Sequence, residues 1–473
     1  VSHRLPEPEP TQNPTPPRAE RSPSGPVPRA AASSHHHHHD HGGELPGQLA
    51  RYAKPVVVAI LVAAAVAVGI GAIALWPSHA ERPIPMQFRS VTGGPIQTFD
   101  AEVVSQRKAD CSAPSVGVAS PDLPTLPAEQ GPCRASTLQL TSGPDRDKYV
   151  LLMVATNASQ TGADSTMPGT VAATTGAPDD PQPGQPKLEV NDKIRVTSVP
   201  GPDGRALYSF YDYQRGTSII GWAIAFILAI VAVATWRGAR AIAALAVAFA
   251  VLGFFTLPSV LDGNSVVAVA VVSAAAILFV VLYLAHGFSM RTSSALLGTL
   301  ASLLLAVLLS ALAIATMSLT GLSTESTASL QVYQGTISLN GLLLAGFVIG
   351  TIGVLNDVTI TQASATFELA AMPGQTRATA FRAAMRVGRD HIASTVYTLV
   401  FAYAGSALPL LLLFSVAGQP FGSLITSEEV AIELARAFVG GIAIAGSVPL
   451  TTAIAAMLVV PGAAATRTAS AAS

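Results

Sequence analysis

From residue 218 to 460 the chain is a succession of apolar runs, each broken by a few polar residues. Runs of this kind, nearly free of charge, are what a helix needs to cross the ~30 Å hydrocarbon core of a bilayer. The breaks place spans at 218–235, 241–257, 265–285, 293–319, 338–356, 394–416 and 430–460, the last starting as a partly polar turn at the interface. A further uncharged run, "PVVVAILVAAAVAVGIGAIALW" at 55–76, stands far upstream. Arg51 and Lys54 precede it and Trp76 ends it, as in an anchor with an aromatic residue at the far interface. A cleaved signal would have an apolar core of only ~7–15 residues and no long tail ahead of it. A polytopic α-helical membrane protein with about eight transmembrane helices is therefore expected.

Residues 77–217 change the pattern to short β-like runs: 99–105, 137–142, 148–156, 187–199 and 206–214. Pro, Gly and Asp turns separate them. Five short strands predict a small β-rich domain between the first two spans, a barrel or a sandwich, with the shape of an oligonucleotide-binding fold as one option. Such a shape says nothing about nucleic acid. A Gly/Pro/Asp-rich loop at 162–186 interrupts the strands.

One apolar stretch, "GTIGVLNDVTITQASATFEL" at 350–369, acquires acids. Gly346, Gly350, Gly353, Asp357, Thr361, Ser364 and Glu368 follow one another at intervals of three or four and so share one helical stripe of small or polar residues. Val348, Ile352, Leu355 and Val358 occupy the other side, which reads as lipid-facing. The stripe reads as a seam where a neighbouring helix approaches closely, with Asp357 where the seam opens towards water. Glu429, Glu433, Arg436, Gly440 and Ser447 line one side of the final helix, with Glu433 and Arg436 spaced to pair. Thr395, Thr398, Ala402, Gly405 and Pro409 make a third such stripe. Ionisable groups within spans are costly and usually face a bundle interior or an aqueous cavity. The plainer readings are a packing seam and an acid solvated at the interface.

Composition agrees with a membrane class: 50% hydrophobic and 12% charged over 473 residues, against ~25% charged in an average soluble domain. The formal net charge of −1 offers no basic surface for nucleic acid. Loop charge sets the orientation. Arg237, Arg240, Arg291, Arg377, Arg382, Arg386, Arg389 and Arg467 fall on one side of the expected spans, and Asp262, Glu325, Glu428 and Glu429 on the other. The positive-inside rule then predicts both termini in the cytoplasm and the β-rich domain outside. There the only cysteines, Cys111 and Cys133, can form a disulfide.

Residues 1–50 are rich in Pro, Ser, Glu and Arg and predict a disordered cytoplasmic tail. The domain plan is this tail, the anchor at 55–76, the β-rich domain at 77–217, a seven-helix domain at 218–460 and a short cytoplasmic tail at 461–473. His35, His36, His37, His38, His39 and His41 lie in the first tail. Clustered imidazoles bind Zn, Ni or Cu. The alternatives are a solvated low-complexity tract or a tag, and the non-repeating flanks and Asp40 argue against the tag.

Three blocks together, "GTIGVLNDVTITQASATFEL", "RVGRDHIASTVYTLVFAYAGSALPLLLLF" and "EEVAIELARAFVGGIAIAGSVPLTTAIAA", resemble the YibE/F-like bacterial integral membrane proteins over most of residues 200–460. The resemblance falls on Gly350, Gly353, Asp357 and Glu368, then on Gly388, Asp390, Gly405, Ser406 and Pro409, then on Glu433, Arg436, Pro449 and Thr451. The family commonly carries an asparagine near Thr398, so a polar contact there is altered. It implies a multi-pass protein of the bacterial plasma (inner) membrane and no defined activity.

No Walker lysine pattern, H-E-x-x-H, G-x-S-x-G or C-x-x-C occurs, and no lysine follows Lys193. Familiar nucleotide hydrolases, zinc proteases and serine hydrolases are thereby disfavoured, and no cofactor is expected. Two readings remain. One is a non-enzymatic transporter or permease for a small solute or ion, with the β-rich domain as gate or receptor. The other is a non-transporting scaffold that binds an envelope partner. Both place the lipid bilayer as the main surrounding.

Overall fold

The computed structural model describes residues 47–459, apart from 79, 92, 113–114, 125–130, 161–176, 202, 324 and 419. The His tract and the C-terminal tail lie outside the described residues.

Helix α1 (Gly47–Ala74) enters first. It touches the rest of the bundle sparingly, burying Val57 and Leu61 and bringing Gly71 against Val272. Six strands follow: β1 (Thr98–Ala109), β2 (Ala119–Ser120), β3 (Cys133–Leu140), β4 (Tyr149–Ala155), β5 (Lys193–Pro200) and β6 (Ala206–Tyr213). They form one antiparallel sheet in the order β2-β4-β3-β1-β5-β6. The two edges then meet. The Gly117 N–H donates to the Leu151 carbonyl at 2.8 Å, and the Tyr208 N–H donates to the Gly117 carbonyl at 2.7 Å. This joins β4 to β6 through residues 116–120 and curls the sheet into a small, partly open barrel. Alternate inward residues fill it, among them Val103, Leu138, Leu140, Val150, Ile194 and Val196. The sequence missed only β2, whose two residues carry no alternation to read.

The helical region is α2 (Gly216–Val251), a π turn at Leu252–Thr256, α3 (Leu257–Leu261), α4 (Val266–His286), α5 (Met290–Thr316), α6 (Glu325–Tyr333), α7 (Leu339–Ala370), α8 (Arg377–Ser406), α9 (Leu408–Val416), α10 (Phe421–Ile425) and α11 (Glu428–Leu458). Side-chain caps start several of them. Ser289 accepts from the Thr292 N–H and Ser338 from the Gly341 N–H, while Thr376 and Thr379 cap each other's backbone. Among the described residues six helices are long and apolar enough to cross a membrane, and a seventh counts if α8 and α9, bent by 57°, make one span.

The difference from eight lies in residues 216–261, which pass as one stretch. A straight helix of that length would run ~69 Å, over twice the bilayer core. It is not straight. Thr235 leaves helical geometry at φ 54° and ψ −133°. Beyond it, a Cβ on Gly238 would lie 2.6 Å from the Ile230 carbonyl oxygen, a proximity that residues eight apart never have along one helix axis. The chain therefore bends sharply where the sequence separates its second and third spans. A second difference is α8. It begins at Arg377, so the arginines read as a loop cluster form the first half of a helix.

Helices α5, α7 and α11 pack mutually and, with α4 and α8, make the bundle. The first half of α2 and the end of α8 with α9 stand exposed nearly all round. Polar contacts gather at the two ends of the bundle. At one end Asp262 accepts from the Ser78 N–H and from Arg82, the Tyr333 hydroxyl donates to the Pro83 carbonyl, and Glu428 accepts from the N–H groups of Thr320 and Gly321. At the other, Arg291 pairs with Glu368 and Arg377 donates to the Val459 carbonyl.

Candidate functional site

The stripe on α7 is inverted relative to its expected role. Gly346, Gly350, Gly353, Asp357 and Thr361 are exposed, Ser364 is half-buried, and Glu368 is exposed and paired with Arg291 at 2.6 Å. A Cβ on Gly346 or Gly353 would meet open space, and one on Gly350 only the Tyr403 hydroxyl at 3.4 Å. Val348, Ile352, Leu355 and Val358, read as lipid-facing, are buried. The physical reason sits on the partners. Helix α5 carries Ser294, Gly298, Ser302, Ala306 and Ser310 at intervals of four, all buried. That stripe supplies the close approach to α11, while Leu355 and Val358 of α7 pack as large side chains beside Ala306. A Cβ on Gly298 would stand 3.2 Å from the Thr451 Cα of α11.

Buried polar groups line this seam. Thr299 and Thr359 hydrogen-bond at 2.6 Å. Gln362, 2% exposed, donates to the Ala384 carbonyl at 2.8 Å and to the Thr452 hydroxyl at 2.7 Å, so one amide ties α7, α8 and α11 together. A Cβ on Gly388 would lie 2.9 Å from the Gln362 Oε1. Sequence reading passed over Gln362 and the α5 stripe. The four-residue spacing on α5 was a readable signal; the single glutamine was not.

Glu433 and Arg436 do pair. The Arg436 Nη1 donates to both Glu433 carboxylate oxygens at 2.9 Å. The guanidinium also stands 5.5 Å from the Phe347 ring centre on α7 and 5.4 Å from that of Tyr403 on α8. Such cation–π contacts contribute ~0.5–2 kcal/mol each, more as water is excluded. Both side chains are about a quarter exposed, 24% and 25%, and the Arg436 Nε has no hydrogen-bond partner. Gly440 lets Leu399 of α8 press against the same helix one turn further on. A charge pair on α11 is thus clasped by two neighbouring helices.

Asp357 does not share this place. It lies ten residues beyond Phe347 on α7, ~15 Å along the axis. Its carboxylate is within electrostatic reach of His286 at the end of α4, as are Arg237 and Arg240 of α2. Of the other residues, Thr451 is fully buried with no partner for its hydroxyl, Gly405 faces open space, and Pro449 sits inside α11. Cys111 and Cys133 are joined by a disulfide with Cα atoms 5.2 Å apart, tying the chain after β1 to the start of β3. Among the described residues no three His, Cys, Asp or Glu side chains gather as a metal site.

A model of the YibE/F-like protein family matches residues 222–461. The chain belongs to this family. The match spans α2 to α11 and so contains the Glu433–Arg436 clasp, while the β barrel lies outside it. Comparisons with curated proteins and with solved structures give no match. The YibE/F-like region is therefore the part that carries the polar seam and the Glu433–Arg436 pair of α11.

Proposed function

We propose that this YibE/F-like protein is a permease of the bacterial plasma membrane for a small solute or ion, and not an enzyme. The observation that carries the reading is the Glu433–Arg436 pair between Phe347 and Tyr403. A purely structural contact at this depth is served as well by apolar side chains, because a buried ion pair seldom stabilises more than they do. Charges kept within spans mark solute or proton paths. The pair is a latch whose opening has a cause: the Arg436 guanidinium turns from Glu433 and the Tyr403 ring to an anionic solute, which releases α8 and its bent continuation α9 from α11. We further propose eight spans, both termini cytoplasmic and the barrel outside as gate or receptor. The bend at Thr235 and the gathering of like-sided residues at the two ends support this.

The test uses the full chain in liposomes on a solid-supported membrane, challenged with concentration jumps of small anions, cations and protons. A transient current lost in Glu433→Gln and Arg436→Gln, with folding intact, is the expected result. Absence of current or flux for the wild type across the panel would remove the reading.

The second reading, a scaffold holding an envelope partner, rests on a different place. A groove of about 480 Å³ lies between residues 83–89 and α6, with Met86 and Val332 exposed at its edge. A flux-silent protein that keeps its fold would favour it.

A further inference from the structure

The bend in α2 makes a feature that the permease reading does not use. Arg237 and Arg240 stand just beyond Thr235, and α2 packs along α4, which ends at His286. The packing of α2 on α4 brings this turn towards the His286 end of α4, and the charges of both arginines act on the imidazole. Among the described residues neither arginine has an ion-pair partner, and the Arg240 Nε is buried without any hydrogen bond. Asp357 is the acid that acts on the same imidazole, and one carboxylate does not balance two guanidinium groups. Trp236, 73% exposed, adjoins the arginines, and the half of α2 before the bend is exposed on all sides.

An excess of arginine in a turn on this side follows from the positive-inside rule alone. The rule does not explain a guanidinium nitrogen withdrawn from solvent with nothing to bond. Burying such a donor unpaired is unfavourable, so the site is completed by an acceptor from outside the chain. The acceptor must be anionic, to match the charge, and must reach the turn where α2 packs on α4. Arginine binds phosphate through its planar fork. Exposed tryptophan is at home among lipid headgroups.

We propose that Arg237, Arg240 and His286 form a binding site for the phosphate of an anionic phospholipid, whose chains lie along the exposed half of α2. The ligand holds the bend closed by bridging α2 to α4.

The experiment is native mass spectrometry of the delipidated full chain, titrated with phosphatidylglycerol or with phosphatidylcholine of the same acyl chains. Two arginines near a headgroup predict a preference for the anionic lipid of about 25-fold. Arg237→Gln with Arg240→Gln should abolish the preference, while Arg237→Lys with Arg240→Lys should keep only part of it, because lysine brings the charge without the fork. Circular dichroism in detergent establishes that the variants fold. A wild type with no preference, or a folded Gln variant that retains it, overturns the proposal. Displacement of bound phosphatidylglycerol by millimolar inorganic phosphate would also overturn it, since the site would then serve a soluble anion. None of these outcomes depends on whether the protein transports.

Discussion

The inverted stripe on α7 makes a sharp test, because the same substitution should have opposite signs on two helices. Gly353→Ala places a methyl group in open space, where it relieves the entropic disadvantage of glycine in a helix. The expected change is a stabilisation of ~0.5–1 kcal/mol. At Gly298 the methyl group must enter the seam between α5 and α11, 3.2 Å from the Thr451 Cα. Helix backbones on both sides fix that distance, so the bundle has to part. Overpacking of this kind costs ~1–3 kcal/mol, which outweighs the helix term and leaves a net loss of ~0.5–2 kcal/mol. Leucine widens the gap: Gly298→Leu should prevent assembly, whereas Gly353→Leu should fold. The assay is reversible unfolding of the detergent-solubilised protein by increasing mole fractions of SDS, followed by circular dichroism. If Gly353→Ala destabilises as much as Gly298→Ala, a neighbouring helix covers the α7 stripe in solution. The open-face description would then be wrong.

Removing both cysteines should destabilise the barrel by ~3 kcal/mol in the chain-entropy model, and non-reducing peptide mapping should recover the Cys111–Cys133 cross-link. Arg436→Leu leaves Glu433 without its partner in a mostly buried place; it should cost ~1–3 kcal/mol, and the double variant with Glu433→Leu should recover much of this in a double-mutant cycle. The barrel should also be most stable between moderately acidic and moderately basic pH. Hydrogen bonds from Lys148 and then Tyr208 hold the Asp145 carboxyl below its ordinary value, so its contribution is present above ~3.9 and is lost as pH falls through the lowered value. Burial and then the bond to Asp145 push the Tyr208 phenol up, so its contribution is complete below ~10 and is lost as pH rises through the raised value. A Tyr208→Phe variant whose alkaline stability profile matches the wild type would show that the pair does not set that limit.

The strands and spans were legible because each answers to one periodicity. Residues 137–142 or 265–285 have no other way to bury their apolar side chains. The facing of α7 was not legible in the same way. A stripe of glycines and acids can turn towards a close neighbour or away from all of them, and its own sequence fits both. The choice was made by the partners: the stripe on α5, whose serines bond back to their own helix, lets α11 approach at Gly298 and sets Ala306 beside Leu355. The Glu433–Arg436 pair was legible from its spacing, but its enclosure by Phe347 and Tyr403 depends on helices far away in the chain. The bend in α2 appeared only as arginines between two apolar runs, which is why it was read as a loop.

The two chain ends of the barrel are held differently. On entry, residues 77–89 are fastened through Ser78 and Arg82 to Asp262 and through Pro83 to Tyr333, so that side is moored to α3 and α6. On exit, Tyr213 is followed almost at once by α2, whose first half has hardly a neighbour before the bend at Thr235. A pull on the barrel therefore meets a fixed mooring on one side and a free arm on the other. The arm is the part left free to swing, and its fulcrum is the bend at Thr235, beside Arg237 and Arg240.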